Sequence, residues 1–433
     1  MGWFDGLFLD LNFDHKVDIS IKYCSSSYKI SSVYKLRYHP ITMQIVDVVI
    51  VGGAAIGSSA AYFLAANPGF TGSVLVLEQD SSYARSATAL SAASIRHQFS
   101  TPDNIRMSQF GTQFIRHIAD YLAVDGQVPD VGFQERGYLF LASSAGQGVL
   151  QANHAVQRHC GVDVALLTPA QLQARFAWLA TFDLSAGSLG LSGEGWLDAY
   201  GLMQGFKRKA VSLGVQYQQA QVVGVQRQGR RVQQLELADG SHISCGMVIN
   251  AAGTGATALA RSAGIALPVQ SRKRCVFYFT SPAQLPGCPL VIDPSGAYFR
   301  PEGEGFICGI SPPKDNDPEC FDFEVQHDLF DEVLWPLLAA RVPGFEAVRV
   351  QRAWAGHYDV NTLDHNVILG AHPDVDNLLF ANGFSGHGMQ QSPAIGRALS
   401  ELVVHGGYCT LNLSACGWHR VIDNQPMLEV NVV

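Results

Sequence analysis

The most informative pattern of apolar and polar positions in this chain begins at residue 48. Residues 48–51 form a continuous apolar run, which is typical of a strand buried on both faces of a parallel sheet. A glycine turn follows at 52–57, and then a helical stretch at 58–66. A second apolar run, 74–77, ends at the acidic residue Glu78. This order of strand, turn, helix, strand and acid predicts a unit that binds the ADP half of a dinucleotide.

The residue types in this unit suit that chemistry. Gly52 permits the tight turn, and Gly57 permits close packing of the helix against the strand. The helix N-terminus offers free N–H groups and a partial positive charge to a pyrophosphate. Glu78 can accept hydrogen bonds from both hydroxyl groups of an adenosine ribose. Ala54 stands where the motif has its middle glycine, so a methyl group lies where the backbone approaches the pyrophosphate. A βαβ unit that binds no nucleotide is the disfavoured alternative.

Two further buried strands are each followed by a turn of small residues. One strand and its turn lie within 245–255. The other strand, 378–381, leads into a glycine-rich loop at 383–388 and a helix at 393–405. Small residues also dominate 87–94, which suggests backbone lying against a ligand. The residues expected to contact the dinucleotide are Gly52, Gly53, Ala54, Ala55, Ile56, Gly57, Glu78, Gln79, Ser86, Ala87, Thr88, Ser91, Val222, Ala251, Ala252, Gly253, Gly383, Phe384, Ser385, Gly386, His387, Gly388 and Met389.

Helical patterns occur elsewhere along the chain. They predict helices over 107–122, 199–213 and 326–341. Asp198 is expected to cap the second of these, and Thr168 to cap a short helix that begins with proline.

Composition narrows the function classes. The 433 residues include 29 basic and 37 acidic side chains, for a formal net charge of −8, and no basic cluster appears. Nucleic acid is therefore not expected as a partner. The nine cysteines form no C-x-x-C pair, and the histidines show no metal-ligand spacing, so we expect reduced thiols in a cytoplasmic protein without a metal. The apolar stretch 45–66 contains Asp47 and the glycine turn, which argues against a transmembrane segment.

The first 42 residues differ from the rest. Asp5, Asp10, Asp14 and Asp18 are unlike a transit peptide, which is poor in acids. We expect residues 1–42 to be a non-essential extension, with the functional protein starting near Met43.

Four segments carry a resemblance to a known family: 48–57, 249–253, 354–356 and 383–388. Together they resemble the D-amino-acid-oxidase-like superfamily of FAD enzymes, which includes glycine oxidase, sarcosine oxidase and dimethylglycine dehydrogenase. The resemblance covers about residues 43–428. It implies an α/β protein with a Rossmann-like FAD-binding domain of the glutathione-reductase type and a second, antiparallel-sheet α+β substrate domain.

Within that superfamily, 94–100 and 383–391 are most similar to the group called FAD-dependent oxidoreductase domain-containing protein 1. Mitochondrial members of that group are linked to assembly of respiratory complex I. This resemblance implies an alternative function, a flavin-containing assembly or scaffold factor with little turnover. It also implies a respiratory-chain or membrane-associated electron acceptor, and a location that is cytoplasmic or peripheral to the inner membrane.

The resemblance also implies domain boundaries. The FAD-binding domain is expected to be discontinuous and the substrate domain to be inserted between its parts. The expected segments are 43–98, 193–270 and 350–428 for the FAD-binding domain, 99–192 and 271–349 for the substrate domain, and 429–433 for a tail.

Departures from the family pattern predict how this chain differs from its relatives. Some relatives attach FAD through a cysteine near the segment 354–357, which has none here, and others through a histidine at about the place of Ser91. We therefore expect non-covalent FAD. Sarcosine oxidases place a lysine over the flavin to speed reaction with oxygen. The matching segment, 305–309, has no lysine, which favours a dehydrogenase over an oxidase.

The resemblance implies oxidation of the C–N bond of an amino acid or N-methyl amino acid by hydride transfer to flavin N5. Arg96 matches the arginine that holds the substrate carboxylate. Gln390 and Tyr358 stand where relatives have a second cation, and His357 is a candidate general base. A plain NAD-dependent dehydrogenase is disfavoured, since it does not explain the glycine loop at 383–388.

Overall fold

The structure is a computed structural model that describes residues 18–19, 36–37 and 45–430. The chain divides into two units, Met1–Gln44 and Ile45–Val433. In the first unit, strand β1 (Asp18–Ile19) pairs antiparallel with β2 (Leu36–Arg37). Most of the predicted extension, with Met43 and Cys24, lies outside the described residues. Everything below concerns the second unit.

The strands of the second unit belong to two large sheets and one small one. In chain order they are β3 (Ile45–Val51), β4 (Val74–Glu78), β5 (Ser94–Ile95), β6 (Tyr138–Ala142), β7 (Val164–Leu167), β8 (Ala186–Gly190), β9 (Gly195–Trp196), β10 (Gln216–Gln219), β11 (Val222–Gln228), β12 (Arg231–Leu237), β13 (His242–Asn250), β14 (Val269–Thr280), β15 (Leu290–Ile292), β16 (Tyr298–Glu302), β17 (Gly305–Gly309), β18 (Arg349–Asn361), β19 (Ile368–His372) and β20 (Val375–Asn382).

The α-helices connect these strands. In chain order they are α1 (Ala55–Ala65), α2 (Pro102–Arg116), α3 (Ile118–Leu122), α4 (Gln147–His159), α5 (Pro169–Arg175), α6 (Ala199–Ser212), α7 (Ala256–Ser262), α8 (Trp335–Arg341), α9 (Gly388–His405) and α10 (Trp418–Ile422).

The first sheet is built on five parallel strands in the order β10, β4, β3, β13 and β20. The β11–β12 hairpin pairs antiparallel with the first half of β13, and β19 pairs antiparallel with β20. Ile50 packs on the face covered by α1, α6 and α9, whereas Val49 packs on the face covered by α7. Burial on both faces explains why residues 48–51 are apolar without interruption.

The second sheet has eight strands in the order β18, β14, β17, β16, β15, β6, β8 and β7. All neighbours are antiparallel except β15 and β6. The expected α/β fold with a second, mainly antiparallel sheet is thereby confirmed. The two-domain boundaries stay a prediction, and β18 pairs along its length with β14 of the second sheet although it lies in the predicted segment 350–428.

Several local predictions can be compared with the structure. The Thr168 cap is confirmed, because its hydroxyl accepts from the Gln171 N–H in a complete capping box. Asp198 is the N-cap residue of α6 as predicted, but its side chain makes no capping hydrogen bond within the described structure. The helix predicted over 326–341 begins at residue 328, and its Phe330–Leu334 turn is π-helical.

Two general properties of the described chain concern its cysteines and its helices. The eight cysteines of the described chain are free thiols. Among the described residues, no helix combines the length and apolar character needed to cross a bilayer.

Candidate active site

A long cavity, called here the edge cavity, lies where the parallel strands of the first sheet end. It extends from Glu78 at the end of β4 to the loop between β20 and α9. Ligands of open α/β sheets bind at this carboxyl edge. Its lining residues are Val51, Gly52, Ala54, Ala55, Ile56, Leu77, Glu78, Gln79, Asp80, Tyr83, Arg85, Ser86, Ala87, Thr88, Ser91, Ala220, Gln221, Val222, Ala251, Ala252, Gly253, Thr254, Gly255, Ala258, Leu259, His357, Tyr358, Asp359, Ala381, Phe384, Gly386, Gly388 and Met389.

The glycine turn after β3 shapes one part of this cavity. Gly52 has a φ of +98°, and a Cβ there would overlap with the backbone of Ala251. A Cβ on Gly57 would overlap with the carbonyl of Gly52, so only glycine lets α1 approach the strand. The N-cap residue of α1 is Ala54, which has no side chain able to cap, and Thr88 Oγ1 accepts from the Ala55 N–H at 3.2 Å. The first turn of α1 therefore presents N–H groups and the positive helix end, as a pyrophosphate requires.

Glu78 occupies the end of the cavity expected for the ribose. One carboxylate oxygen accepts from the Gly53 N–H at 2.8 Å, and the other accepts from the Asp80 N–H at 2.9 Å. Each oxygen keeps a further lone pair, so the carboxylate can still accept from hydroxyl groups. Glu78 thus fixes the glycine turn and also offers acceptors to a ligand.

The loop before α9 forms the opposite end of the cavity. A Cβ on Gly386 would lie 2.6 Å from the ring of Tyr358, so this position requires glycine. The buried carboxylate of Asp359 accepts from the Gly383 N–H at 2.8 Å. Burial raises the pKa of Asp359 to about 6. Hydrogen bonds from the N–H groups of Gly383 and Phe384 lower this pKa, but burial has the larger effect. No described side chain caps α9, so its N–H groups and positive end are available to this part of the site.

Two observations indicate that the edge cavity fits a dinucleotide cofactor. Nε2 of His357 is buried and has no hydrogen-bond partner in the described structure, and His357 lines the cavity. A buried polar atom of this kind requires a partner. Gly253 has open space where a Cβ would lie, and a Cβ on Gly255 would touch only Ala252 Cβ, at 3.9 Å, so the backbone here can contact a ligand.

The predicted cofactor residues fall into two groups. Gly53, Gly57, Gly383, Ser385 and His387 lie behind the cavity wall and shape its turns, and all the others line the cavity.

Sequence reasoning missed further lining residues. Tyr83, Arg85, Asp80 and Thr254 line the cavity without having been predicted. The small residues after β13 were a usable signal for Thr254, whereas Arg85 lies in a loop whose course the pattern does not show.

Arg96 directly follows β5 and is buried. Its Nη1 donates to the Gln98 carbonyl at 2.5 Å, and its Nη2 lies 3.3 Å from His387 Nε2. The guanidinium also lies 4.1 Å from the centre of the Phe99 ring. Within the described residues it forms no ion pair with a carboxylate. Arg96 is not among the lining residues of the edge cavity. Gly386 and Gly388, on either side of its contact His387, do line that cavity.

Gln390 holds the backbone at Arg96. Its side-chain oxygen accepts from the Arg96 N–H at 2.9 Å and from the Ser108 hydroxyl at 2.8 Å. Gln390 therefore connects α9 with α2 and with the residue after β5. Tyr358, in contrast, lines the edge cavity directly.

The histidines of the site are held neutral. Burial, followed by the charge of Arg96, lowers the pKa of His387 to about 3. Burial, followed by Arg116, lowers the pKa of His97 to about 4. Burial also lowers the pKa of His357. Neutral His387 can accept a hydrogen bond from Arg96 at Nε2, which leaves that nitrogen unable to act as a general base.

Glu194 and Tyr138 adjoin Arg96 but escaped the sequence analysis. Glu194 is fully buried, and its Oε1 accepts from the N–H groups of His97 at 2.6 Å and Gln98 at 3.1 Å. Its Oε2 accepts from the Gln98 side chain at 2.8 Å. The Tyr138 hydroxyl donates to Ser94 at 2.6 Å, and burial raises the pKa of Tyr138. The segment around Glu194 reads as a glycine-rich loop, which gave no signal of burial.

A second cavity, of about 570 Å³, adjoins the edge cavity. Thr88 and Ser91 line both. Ile307, from the strand where the family pattern has a lysine, lines the second cavity.

The doubly covered parallel sheet, the glycine turn with its acid and the loop before α9 define a flavin-dependent oxidoreductase. The chain belongs to the DAO family of FAD-dependent oxidoreductases, whose pattern matches residues 47–402. The expected family and FAD cofactor are confirmed, while non-covalent binding stays a prediction.

Individual proteins show the same relationship. FAD-dependent oxidoreductase domain-containing protein 1 of Xenopus laevis is 44% identical over 89% of this chain and 85% of its own length. Sarcosine oxidase subunit beta of Rhizobium meliloti (strain 1021) is 27% identical over 83% of this chain and 85% of its own. The crystal structure of L-proline dehydrogenase from P. horikoshii shares the fold, with a TM-score of 0.78 at 24% identity, over 88% of this chain and 99% of that one.

Proposed function

We propose that this protein oxidises the C–N bond of an amino acid or N-methyl amino acid, with bound FAD supplying the hydride acceptor at N5. The observation that carries the proposal is the buried guanidinium of Arg96, which has no carboxylate partner in the described structure. A buried charge is costly unless it is paired. A substrate carboxylate would complete the pairing that the protein leaves open.

The groups around Arg96 give it a fixed position. The Gln390 side chain accepts from the backbone N–H of Arg96, and the Gln98 carbonyl accepts from the Arg96 guanidinium. The guanidinium is therefore positioned before a substrate binds. We assign Gln390 as a positioning residue, because both its contacts are made within the protein. Tyr358 lines the edge cavity and is the residue we expect beside the substrate.

Proton chemistry at this site is limited. The low pKa of His387 and of His97 makes both neutral and poorly basic near pH 7. Within the described structure, Nε2 of His357 has no hydrogen-bond partner, and His357 lines the edge cavity. We propose that the substrate amine binds in its neutral form and that His357 orients a ligand by one hydrogen bond.

We also propose dehydrogenase rather than oxidase chemistry. Ile307 lies in β17, where the family pattern places an oxygen-activating lysine, and lines the second cavity. An aliphatic side chain supplies no charge to assist reduction of oxygen. Stopped-flow mixing of the reduced protein with air-saturated buffer tests this preference, and fast reoxidation would contradict it.

Anaerobic titration of the FAD-loaded protein tests the substrate class. N-methyl amino acids and amino acids should bleach the flavin absorbance, whereas matched amines without the carboxylate, such as dimethylamine beside sarcosine, should not. In R96Q the half-bleaching concentration should rise by roughly 30-fold or more, as expected for loss of a buried charge pair worth 2–5 kcal/mol. R106Q, at an exposed arginine of α2, is the matched control and should behave as the wild type.

The outcomes are distinct. Equal bleaching by the carboxylate-free amines, or an unchanged R96Q variant with full flavin content, would refute the role of Arg96. A flavin that no amine bleaches would favour the assembly-factor alternative, with a respiratory-chain partner.

A further inference from the structure

The second cavity contains chemistry that the proposed oxidation does not use. It opens between the loop at residues 88–93 and strands β16, β17 and β18. Its volume of about 570 Å³ falls within the range of small-molecule sites in proteins. Its lining includes three arginine and two tryptophan side chains.

Three arginines line this cavity, and two of them have no acidic partner. Arg300 is buried, forms an ion pair with Glu302 and donates to the Ala92 carbonyl at 2.8 Å. Arg136 and Arg352, both exposed, form no ion pair with any carboxylate of the described chain.

The lining therefore keeps a net positive charge. Arg136 and Arg352 are opposed by the single carboxylate of Asp198, since Glu302 is already paired with Arg300. A surplus of one guanidinium favours a ligand with one negative charge, and the planar guanidinium suits a carboxylate or sulfonate.

Two tryptophan side chains add apolar surface to this otherwise partly polar lining. Trp196 is buried, with the guanidinium of Arg136 at 5.9 Å and that of Arg300 at 5.2 Å from its ring. Trp354 is fixed by a hydrogen bond from its Nε1 to the Leu90 carbonyl at 3.0 Å. Fixed indoles and guanidinium planes favour aromatic ligands, because they offer stacking surfaces at little loss of conformational freedom.

We infer that the second cavity binds a planar aromatic small molecule that carries one anionic group. The ring would lie among Trp196, Trp354 and Ile307, and the anion would meet Arg136 and Arg352. Because Thr88 and Ser91 line both cavities, a ligand here lies beside the edge cavity that holds FAD. The inference does not depend on which amine the protein oxidises.

Isothermal titration calorimetry on the FAD-loaded protein tests this inference without turnover. The probe is naphthalene-2-sulfonate, with 2-naphthol as the aromatic compound without the charge and methanesulfonate as the anion without the ring. The sulfonated naphthalene should bind saturably at one site, and each comparator at least about tenfold more weakly. Binding should also shift the flavin absorbance spectrum, since the two cavities share a wall.

Variants locate the binding site. R136Q and R352Q should each weaken binding of the probe about tenfold, and the double variant more. R349Q is the matched control, because Arg349 is another exposed arginine of β18 that does not line the cavity. An unchanged flavin content shows that each variant is folded.

Three results would overturn the inference. They are absence of saturable binding by naphthalene-2-sulfonate, equal affinity for either comparator, and wild-type affinity in the double variant.

Discussion

Replacement of the buried Glu194 by glutamine should change how stability depends on pH. Burial raises the pKa of this carboxyl from 4.5 to about 7, against the N–H groups of His97 and Gln98 and the charge of Arg96, which lower it. The unfolded chain therefore releases the proton near pH 4.5, while the folded protein keeps it until about pH 7.

The sign of the effect follows from this difference. Below pH 4.5 both states carry the proton, and the raised pKa costs no stability. As the pH rises from 4.5 to 7, only the unfolded state gains by ionising, so the folded state loses stability. The loss is complete above pH 7. The rise of the pKa from 4.5 to about 7 corresponds to about 3 kcal/mol.

Glutamine does not titrate, so E194Q should lack this loss. The variant gives up hydrogen-bond strength at every pH, because its NH₂ group faces the side-chain NH₂ of Gln98. Its free energy of unfolding relative to the wild type should nevertheless improve by about 3 kcal/mol between pH 4.5 and 8. Urea denaturation of the FAD-loaded proteins across that range measures the difference.

A second glutamate provides the control. Although partial burial raises the pKa of Glu135, its hydrogen bonds with Arg116 and the Gly193 N–H outweigh this and hold the pKa below its ordinary value. E135Q should therefore show the opposite trend. Its free energy of unfolding relative to the wild type should fall as the pH rises through the acidic range. A pH-independent difference for E194Q would show that Arg96 and the N–H donors keep Glu194 ionised, and would refute the reasoning.

Three other substitutions test the packing of the site. G57A should lose FAD on gel filtration, because its Cβ would overlap with the Gly52 carbonyl in the turn that we expect to bind the pyrophosphate, whereas G407A has open space and should retain it. E429A should lower the stability by about 1 kcal/mol in urea, since Glu429 accepts from N–H groups at the start of α2. R420M should cost about 3–5 kcal/mol, because it leaves the buried Asp364 without its cation, and D364N/R420M should recover part of that loss.

The parts of the fold that the sequence predicted are local ones. Residues 48–51 and Glu78 lie in one βαβ unit, in which hydrophobic burial, turn geometry and a charged end all occur within a short stretch. The glycine loop at 383–388 could also be predicted, because a local steric requirement fixes the residue type. A Cβ at Gly386 would collide with Tyr358. Local steric requirements restrict the residue type at a position, so they can be recognised in the sequence.

Pairing between distant strands cannot be recognised from residue type in this way. The sequence of β18 does not show that β14 is its partner. The tail predicted at 429–433 shows the same limit. Glu429 and Val430 bond to Ser100 and to Asn153, far away in sequence, so the described end of the chain is attached to the fold.

The candidate site illustrates the limit most clearly at Gln390. Its position in the sequence suggested a ligand for the substrate carboxylate, yet its oxygen is occupied by the Arg96 N–H and the Ser108 hydroxyl. Arg96 is thus held from α9 through Gln390, and the residues after it are held by Glu194, which lies just before β9. The single cation retained from the family pattern is therefore fixed by two side chains whose contacts only the folded chain reveals. Among the described residues this buried arginine has no carboxylate within ion-pair distance, although Glu194 and Glu429 act on its charge from farther away. We therefore expect it to bind an anion.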